Sequence, residues 1–198
     1  NHMQAVVYDR NGANYCGRMW WMMKWLGHDG VAVLDGGLQA WEASGGAVEK
    51  GAPAALNPIA SKFELKSALR EWISTDQLAP QVGHPHLTLI DARAGARYRG
   101  EMEPLDPVAG HIPGALNRPF AENLGADGFF KSPEVLRAEF EKLLAGRDPA
   151  TVVHHCGSGV STVPNILAME IAGLGITRLY PGSWSEWCNT PGLPCAKG

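Results

Sequence analysis

A nine-residue stretch, residues 154–162, places the strongest constraint on how this chain folds. It reads His-His-Cys-Gly-Ser-Gly-Val-Ser-Thr, follows a pair of valines and precedes an apolar run with helical spacing. Because glycine has no Cβ, Gly157 and Gly159 let the loop curl until its backbone N–H groups point inward. The pattern predicts a strand, a tight loop opened by Cys156, and a helix whose dipole places positive charge at that loop.

A loop of this kind binds an anion, which favours the thiolate of Cys156 over its thiol. We therefore predict that Cys156 is a nucleophile at the floor of the loop, ionised and exposed to substrate. Ser158 and Thr162 add hydroxyl donors for an incoming oxygen or sulfur atom. The alternative interpretation is that Cys156 is a buried, small apolar residue at a strand end and that the glycines only make a turn.

The adjacent residues His154 and His155 invite a metal-site interpretation. Neighbouring residues of a strand point to opposite faces, however, so the two rings cannot share one ion. No second pair of histidine or cysteine residues follows at ligand spacing. We therefore expect neither a metal site nor a cofactor.

A strand is predicted at residues 87–90, with Asp91 and Arg93 at its carboxyl end, the edge where open parallel sheets bind ligands. We expect Asp91 and Arg93 to form a structural ion pair that fixes the loops near the site. Arg97 and Arg99 follow, and residues two apart cannot share one helix face. One of them can face the site and bind a small carboxylate through its forked guanidinium group; a solvated loop arginine is the equal alternative.

Two helix starts are marked by capping residues. Ser74 or Thr75 is predicted to cap a short helix. Ser132 is predicted to cap a longer one, with Pro133 at its first position and its end at Leu144.

The chain contains an internal repeat with a separation of 146 residues. Each copy has a strand, a loop, a helix, a second strand, and then a glycine followed by a tryptophan. The equivalent pairs are Gly27 and Gly173, Gly36 and Gly182, and Trp41 and Trp187. With one residue of slip in the loop, Asp9 stands where Cys156 stands in the second copy. A carboxylate cannot replace a thiolate, so we expect the first copy to be inert.

The two copies differ in what precedes their loops. Residues 74–155 precede the second loop, whereas only residues 1–8 precede the first. We therefore expect the first domain to lack its front half. The predicted organisation is the rear part of an inactive domain at 1–48, a linker at 49–73, a catalytic domain at 74–190 and a tail at 191–198.

Composition narrows the class of partner. The 198 residues are 45% hydrophobic and 19% charged, with a net charge of -3 and a pI near 6.2. This balance gives no basic surface for nucleic acid or for an anionic membrane, and no apolar run approaches the roughly 18 to 20 residues of a membrane span. The four cysteines have no framework spacing, so we expect a reducing compartment and a cytoplasmic protein.

Four motifs occur in one order across residues 74–188: Asp91-Ala-Arg93, Gly110-His-Ile-Pro-Gly-Ala115, Cys156-Gly-Ser-Gly-Val160 and Tyr180-Pro-Gly-Ser-Trp-Ser-Glu-Trp187. Together they resemble the catalytic domain of the tandem rhodanese-type sulfurtransferases. The Cys-Gly-Ser-Gly-Val loop resembles the 3-mercaptopyruvate type more than the thiosulfate type, whose loop carries basic residues. The resemblance implies an α/β fold: a rhodanese-like domain with a parallel-rich sheet flanked by helices, plus the rear half of a second, inactive one.

The resemblance also implies a reaction. Sulfur would pass from 3-mercaptopyruvate or thiosulfate to Cys156 as a persulfide, and then to cyanide or to a thiol such as a thioredoxin-like protein. Ser158 would be the second catalytic residue and would hand a proton to the departing enolate. The other loop residues would bind substrate and stabilise the persulfide through their N–H groups: Gly157, Gly159, Val160, Ser161 and Thr162.

The donor's carboxylate and keto oxygen are held by two arginines in the 3-mercaptopyruvate enzymes. The first matches Arg97, but the second falls near Asp106, and no arginine is there. Arg99 or Arg118 is the expected substitute, or the pocket prefers another donor. Trp184 is expected either to wall the pocket or to pack at the domain interface.

Two other classes of function remain as alternatives. A Cys-loop phosphatase needs an arginine six residues after its cysteine, and Thr162 occupies that place, which argues against phosphoryl transfer. A non-catalytic, rhodanese-like binding module would carry an unreactive Cys156.

Overall fold

A computed structural model describes residues 3–52 and 62–198, in which short parallel strands alternate with helices. The strands are β1 (Ala5–Val7), β2 (Val31–Val33), β3 (Thr88–Asp91), β4 (Leu116–Asn117), β5 (Val152–His155) and β6 (Arg178–Leu179). The helices are α1 (Cys16–Trp25), α2 (Gly37–Ala43), α3 (Thr75–Leu78), α4 (Gly95–Tyr98), α5 (Pro133–Leu144), α6 (Val163–Ile171) and α7 (Ser183–Asn189). Within these described ranges, no helix is long and apolar enough to cross a membrane.

The strands form two parallel sheets. One has the order β4-β3-β5-β6, and the other pairs β1 with β2. In the register of β3 and β5, Asp91 lies beside His155, so the residues that follow both strands leave the sheet at one edge. The predicted α/β class with a parallel-rich sheet flanked by helices is confirmed.

Side-chain alternation along β5 divides the core into two layers. Val152 packs with Phe140 of α5 and with Met169 of α6, whereas Val153 packs with Trp184 of α7 on the opposite face. Successive side chains of a strand point to opposite faces, so a fully buried strand needs apolar partners on both sides. The two helix layers supply them and hold the carboxyl end of β5 between them.

Both predicted helix caps are confirmed. The Ser74 side chain accepts a hydrogen bond from the N–H of Gln77, whose side chain bonds back to the Ser74 N–H, which is a capping box. The Ser132 side chain accepts from the N–H of Val135, and α5 runs from Pro133 to Leu144. The local sequence therefore determines both helix starts.

The helix bounds follow the spacing of the internal repeat. Helix α2 covers residues 37–43 and α7 covers 183–189, which is a separation of 146 residues at both ends. The ends of α1 and α6 are separated by 146 residues to within one or two residues. The two tryptophans of the repeat differ in environment, since Trp41 is 44% exposed and Trp187 is fully buried. In the part of the chain that the structure describes, α2 therefore lacks the apolar layer that covers α7.

Residues 53–61 of the predicted linker lie outside the described residues. The segment that follows is pinned at three points: the N–H of Lys66 donates to the carbonyl of Leu26, that of Leu69 to Lys24, and that of Ile73 to Leu179. Residues 62–65 are exposed, and the ring centre of Phe63 lies 6.0 Å from that of His28. Residues 66–73 thus connect the end of α1 to the edge of β6.

The two histidines of β5 lie on opposite sides of the sheet. His154 faces α6, with Nε2 3.2 Å from the sulfur of Met169, and His155 faces the ring of Tyr180. Burial lowers the pKa of His154 from its ordinary 6.5 to about 3, and burial also lowers that of His155. Both rings are therefore neutral near pH 7 in the folded protein.

We predict that Phe140→Ala reduces the free energy of unfolding by about 3 to 5 kcal/mol, because it opens a cavity between α5 and the sheet. Val135→Ala on the same helix is the control. Val135 is 45% exposed, so the expected change is within about 0.5 kcal/mol. Urea unfolding of both variants measures the difference, and similar losses in the two would contradict the packing of Phe140 in the core.

We predict that acid weakens the fold partly through His154. The unfolded chain binds its proton more tightly than the folded chain, so this contribution is complete above pH 6.5 and is lost as pH falls toward the folded pKa of about 3. At pH 5 the loss amounts to about 2 kcal/mol. His154→Leu should therefore shrink the drop in unfolding free energy between pH 7 and pH 5 by about that amount, and an equal drop in both proteins would contradict it.

Candidate active site

A cleft of about 400 Å³ opens where β3 and β5 end. Its lining comes from both copies of the repeat: Asn14, Tyr15, Ala92, Arg93, Ala94, Arg97, Leu105, Asp106, Phe120, Cys156, Gly157, Ser158, Val160, Ser161 and Ser185. A larger cleft of about 770 Å³ lies between the α2 region and residues 120–129, but its lining contains neither cysteine nor histidine. The smaller cleft therefore contains the candidate nucleophile Cys156 and is the candidate active site.

Cys156 lies at the floor of this cleft and is held by the start of α7. Its N–H donates to the hydroxyl of Ser183 at 3.1 Å, and its carbonyl accepts from the N–H of Trp184 at 3.0 Å. The carbonyl of Gly157 accepts from Ser185 in the same way at 2.9 Å. The residue is only 2% exposed, so the expectation of an exposed cysteine is wrong; only its face toward the cleft is available.

Ser183 is a positioning residue that the sequence analysis missed. It is fully buried, adopts a left-handed φ of 55°, and its hydroxyl also donates to the carbonyl of Tyr180 at 2.9 Å. The internal repeat could have indicated this role, because Ser183 corresponds to Gly37 of the first copy. Gly37 has a φ of 63°, so both positions adopt the left-handed conformation. A serine at a position that favours glycine indicates a role for its side chain.

The backbone N–H groups of residues 157–162 donate to no residue in the described part of the chain. The equivalent loop of the first copy shows what such groups do. The carboxylate of Asp9 accepts four backbone N–H bonds, from Asn11, Ala13, Tyr15 and Cys16, at 2.8 to 3.1 Å. Burial raises the pKa of Asp9, but the four donors outweigh burial and hold it below its usual value.

Two predicted substrate-binding residues shape the loop instead of lining the cleft. Gly159 has a φ of +75°, and a Cβ there would lie 2.4 Å from the carbonyl oxygen of Pro181. Thr162 is fully buried, and its hydroxyl has no partner among the described residues. The lining does include the other predicted loop residues, Gly157, Ser158, Val160 and Ser161.

Arg18 of α1 is a second residue that sequence reasoning missed. Its Nη1 donates to the carbonyl of Gly159 at 3.2 Å, and its guanidinium group lies 5.5 Å from the ring centre of Trp21. Burial lowers the pKa of Arg18, and the negative charge of a Cys156 thiolate opposes that shift. No local pattern marks this residue, because its contact joins positions 141 residues apart.

The expected ion pair of Asp91 and Arg93 is present, with Nη2 to Oδ2 at 2.6 Å. Arg93 also donates to the carbonyl of Gly110 at 2.7 Å, and its guanidinium carbon lies 4.9 Å from the ring centre of Trp184. Trp184 is fully buried and its indole N–H donates to the carbonyl of Val108. It therefore supports Arg93 from the core and does not wall the cleft.

Arg97 lines the cleft, and neither proposed substitute for a second arginine does. Arg99 forms an exposed ion pair with Glu101 and is not part of the cleft lining. Arg118 is buried and binds Glu139 at 2.7 Å. The cleft lining thus contains Arg97 and the paired Arg93, and at position 106 it has an aspartate where the 3-mercaptopyruvate enzymes have their second arginine.

Comparisons with known proteins identify the family of the chain. The family model of the rhodanese-like domain matches residues 1–44 and 74–190. The chain is 47% identical to a probable 3-mercaptopyruvate sulfurtransferase of Pseudomonas aeruginosa over 196 residues, covering 98% of this chain and 68% of the relative. It is 36% identical to the thiosulfate sulfurtransferase of Mus musculus over 193 residues, covering 94% and 63%.

A solved structure of the 3-mercaptopyruvate sulfurtransferase from Leishmania major superposes with a TM-score of 0.82 at 32% identity. The match covers 98% of this chain and 54% of that one, so the chain spans about half of its length. The family match covers most of the chain, and the relatives that it resembles are sulfur-transferring enzymes. On the combined evidence of fold, cysteine loop and relatives, the chain belongs to the rhodanese-like sulfurtransferase family.

Proposed function

We propose that this protein transfers a sulfur atom by double displacement through Cys156. The thiolate attacks the donor's sulfur and forms an S–S bond. With 3-mercaptopyruvate the C–S bond breaks and its electron pair leaves on the pyruvate enolate, which a proton converts to pyruvate. With thiosulfate the S–S bond breaks and sulfite leaves with that electron pair.

The second half of the reaction returns the enzyme to its starting state. An acceptor thiolate, such as that of a thioredoxin-like protein, or cyanide attacks the outer sulfur of the persulfide. The Cys156–sulfur bond breaks, and its electron pair restores the Cys156 thiolate. No electrons enter from outside, so the cycle needs no redox cofactor.

The observation that carries this proposal is the set of unpartnered backbone N–H groups around Cys156. They belong to the loop that begins at Cys156, at the floor of a cleft, and the same kind of loop holds the carboxylate of Asp9 in the first copy. N–H groups that stabilise a thiolate at this position would also stabilise a persulfide anion, since the charge moves by one bond. This supports a nucleophile over a structural cysteine.

Two further groups have roles in the proposed reaction. Ser158 lines the cleft two residues from Cys156 and is placed to pass a proton to the departing enolate. Arg97 presents its guanidinium group beside Gly157 and binds the carboxylate or sulfonate end of the donor. The loop sequence and the 47% identical relative from Pseudomonas aeruginosa support 3-mercaptopyruvate as the preferred donor.

The rival functions fit the site less well. A Cys-loop phosphatase needs a guanidinium group from the end of its loop, where this chain has the buried Thr162. A non-catalytic binding module does not require unpartnered backbone N–H groups in the loop of a cysteine. The proposal also includes the domain organisation. The first domain, residues 1–48, is inert because Asp9 already fills its loop, and residues 74–190 form the catalytic domain. We further propose that the protein is cytoplasmic.

We predict that Cys156→Ser lowers sulfur transfer below about one-thousandth of the wild-type rate with either donor, because the persulfide cannot form. Intact mass spectrometry after incubation with each donor should show a gain of one sulfur in the wild type and none in the variant. Cys188→Ser is the matched control and keeps the gain, since Cys188 lies outside the cleft lining. A variant that still gained the sulfur would place the nucleophile elsewhere.

We predict that Arg97→Ala raises KM for both donors about 10- to 100-fold, because it removes charge-assisted hydrogen bonds to the donor's anionic end. Arg97→Lys keeps the positive charge but loses the forked guanidinium group, so its KM should lie between those of the wild type and Arg97→Ala. Arg99→Ala is the control and should change KM less than about 2-fold. Initial rates against donor concentration measure the effect; equal KM values in wild type and Arg97→Ala would remove Arg97 from donor binding.

A further inference from the structure

A compact group of opposite charges borders the proposed nucleophile. Arg97 is in contact with two carboxylates, Glu103 and Asp106, and Glu103 is shared with Arg93 at 3.3 Å. The side chains of Glu103 and Asp106 are 3% and 7% exposed. The positive charge available to a donor in this cleft is therefore partly neutralised before any donor binds.

Glu103 occupies one edge of the Arg97 guanidinium group. Its Oε2 accepts from Nε at 3.2 Å and its Oε1 accepts from Nη2 at 2.5 Å, which is the two-pronged side-on geometry. Glu103 Oε1 also accepts the backbone N–H groups of Leu105 and Asp106. Burial raises the pKa of Glu103, but these donors outweigh burial and keep it below its usual value. Glu103 thus anchors both the guanidinium group and the loop.

The other edge of the guanidinium group consists of Nη1 and the second hydrogen of Nη2. Nη1 donates to no described residue and lies 3.4 Å from where a Cβ of Gly157 would stand, so this edge faces the residue after Cys156. Oδ2 of Asp106 approaches Nη2 at 3.4 Å. Asp106 therefore contacts one of the two nitrogen atoms, Nη2, that an anionic donor would bind on this edge, and Nη1 stays free of partners among the described residues.

We propose that Asp106 is a specificity-determining residue: its carboxylate competes with the donor's anionic end for the free edge of Arg97 and disfavours donors with two negative charges. This rests on the proposed function, in which Arg97 binds the donor. Repulsion grows with the charge of the ligand. A dianion such as thiosulfate loses more affinity than an α-keto thiol with one carboxylate, and the site is biased toward the latter.

The Asp106 side chain can be changed without dismantling the loop. Its backbone N–H is held by Glu103, whereas its carboxylate contacts Arg97 only through the long 3.4 Å approach. Asp106→Asn keeps the shape and removes the charge. Glu101→Gln is the matched control, because it removes the same charge nearby from an exposed pair with Arg99 outside the cleft.

The test is isothermal titration with two anions, pyruvate as the monoanion and sulfate as the dianion. In Asp106→Asn we expect affinity to rise about 3-fold for pyruvate and about 10-fold for sulfate, with less than 2-fold change in Glu101→Gln. In rate assays, the ratio of kcat/KM for thiosulfate to that for 3-mercaptopyruvate should rise about 3-fold. If Asp106→Asn is unstable by thermal melting, Asp106→Ala replaces it with the same expectations.

Equal affinities in Asp106→Asn and Glu101→Gln, or equal gains for both anions, would overturn the assignment of Asp106. Failure of the proposed function has a different signature: the wild type forms no persulfide on Cys156 from either donor. The anion titration does not depend on turnover, so it decides the role of Asp106 in either case.

Discussion

Three hydrogen bonds between the start of α7 and the cysteine loop determine the geometry of the whole site. Ser183 accepts the N–H of Cys156, and the N–H groups of Trp184 and Ser185 satisfy the carbonyls of Cys156 and Gly157. The N–H groups of residues 157–162 have no acceptor in the described part of the chain, and four of these six residues line the cleft. The buried Trp184 fixes α7 in place and supports the Arg93 guanidinium group from below.

The two loops of the repeat show how one backbone arrangement can serve two outcomes. In the first, the carboxylate of Asp9 fills the ring of N–H groups from within and the anion site is used up by the chain itself. In the second, Cys156 takes the equivalent place and the N–H groups stay available. The first copy still contributes to the proposed site, since Arg18 holds the carbonyl of Gly159 from α1.

Charge in the cleft is balanced and not simply positive. Arg93 is paired with Asp91 and with Glu103, and Arg97 with Glu103 and Asp106. Buried guanidinium groups need such partners because desolvation of an unpaired charge is costly. The consequence is a narrow free edge on Arg97 beside Gly157, which is a more selective anion site than an unpaired arginine would offer.

The sequence by itself determined the parallel α/β class, the caps at Ser74 and Ser132, the cysteine loop and its family, because these depend on local patterns along the chain. It could not place Ser183 or Arg18 at the loop, and it predicted an exposed Cys156 where the structure buries that residue. Those features depend on contacts between residues far apart in the chain, such as Arg18 with Gly159. Only the tertiary structure brings such groups together, because packing and desolvation decide which charged side chains meet at the cleft.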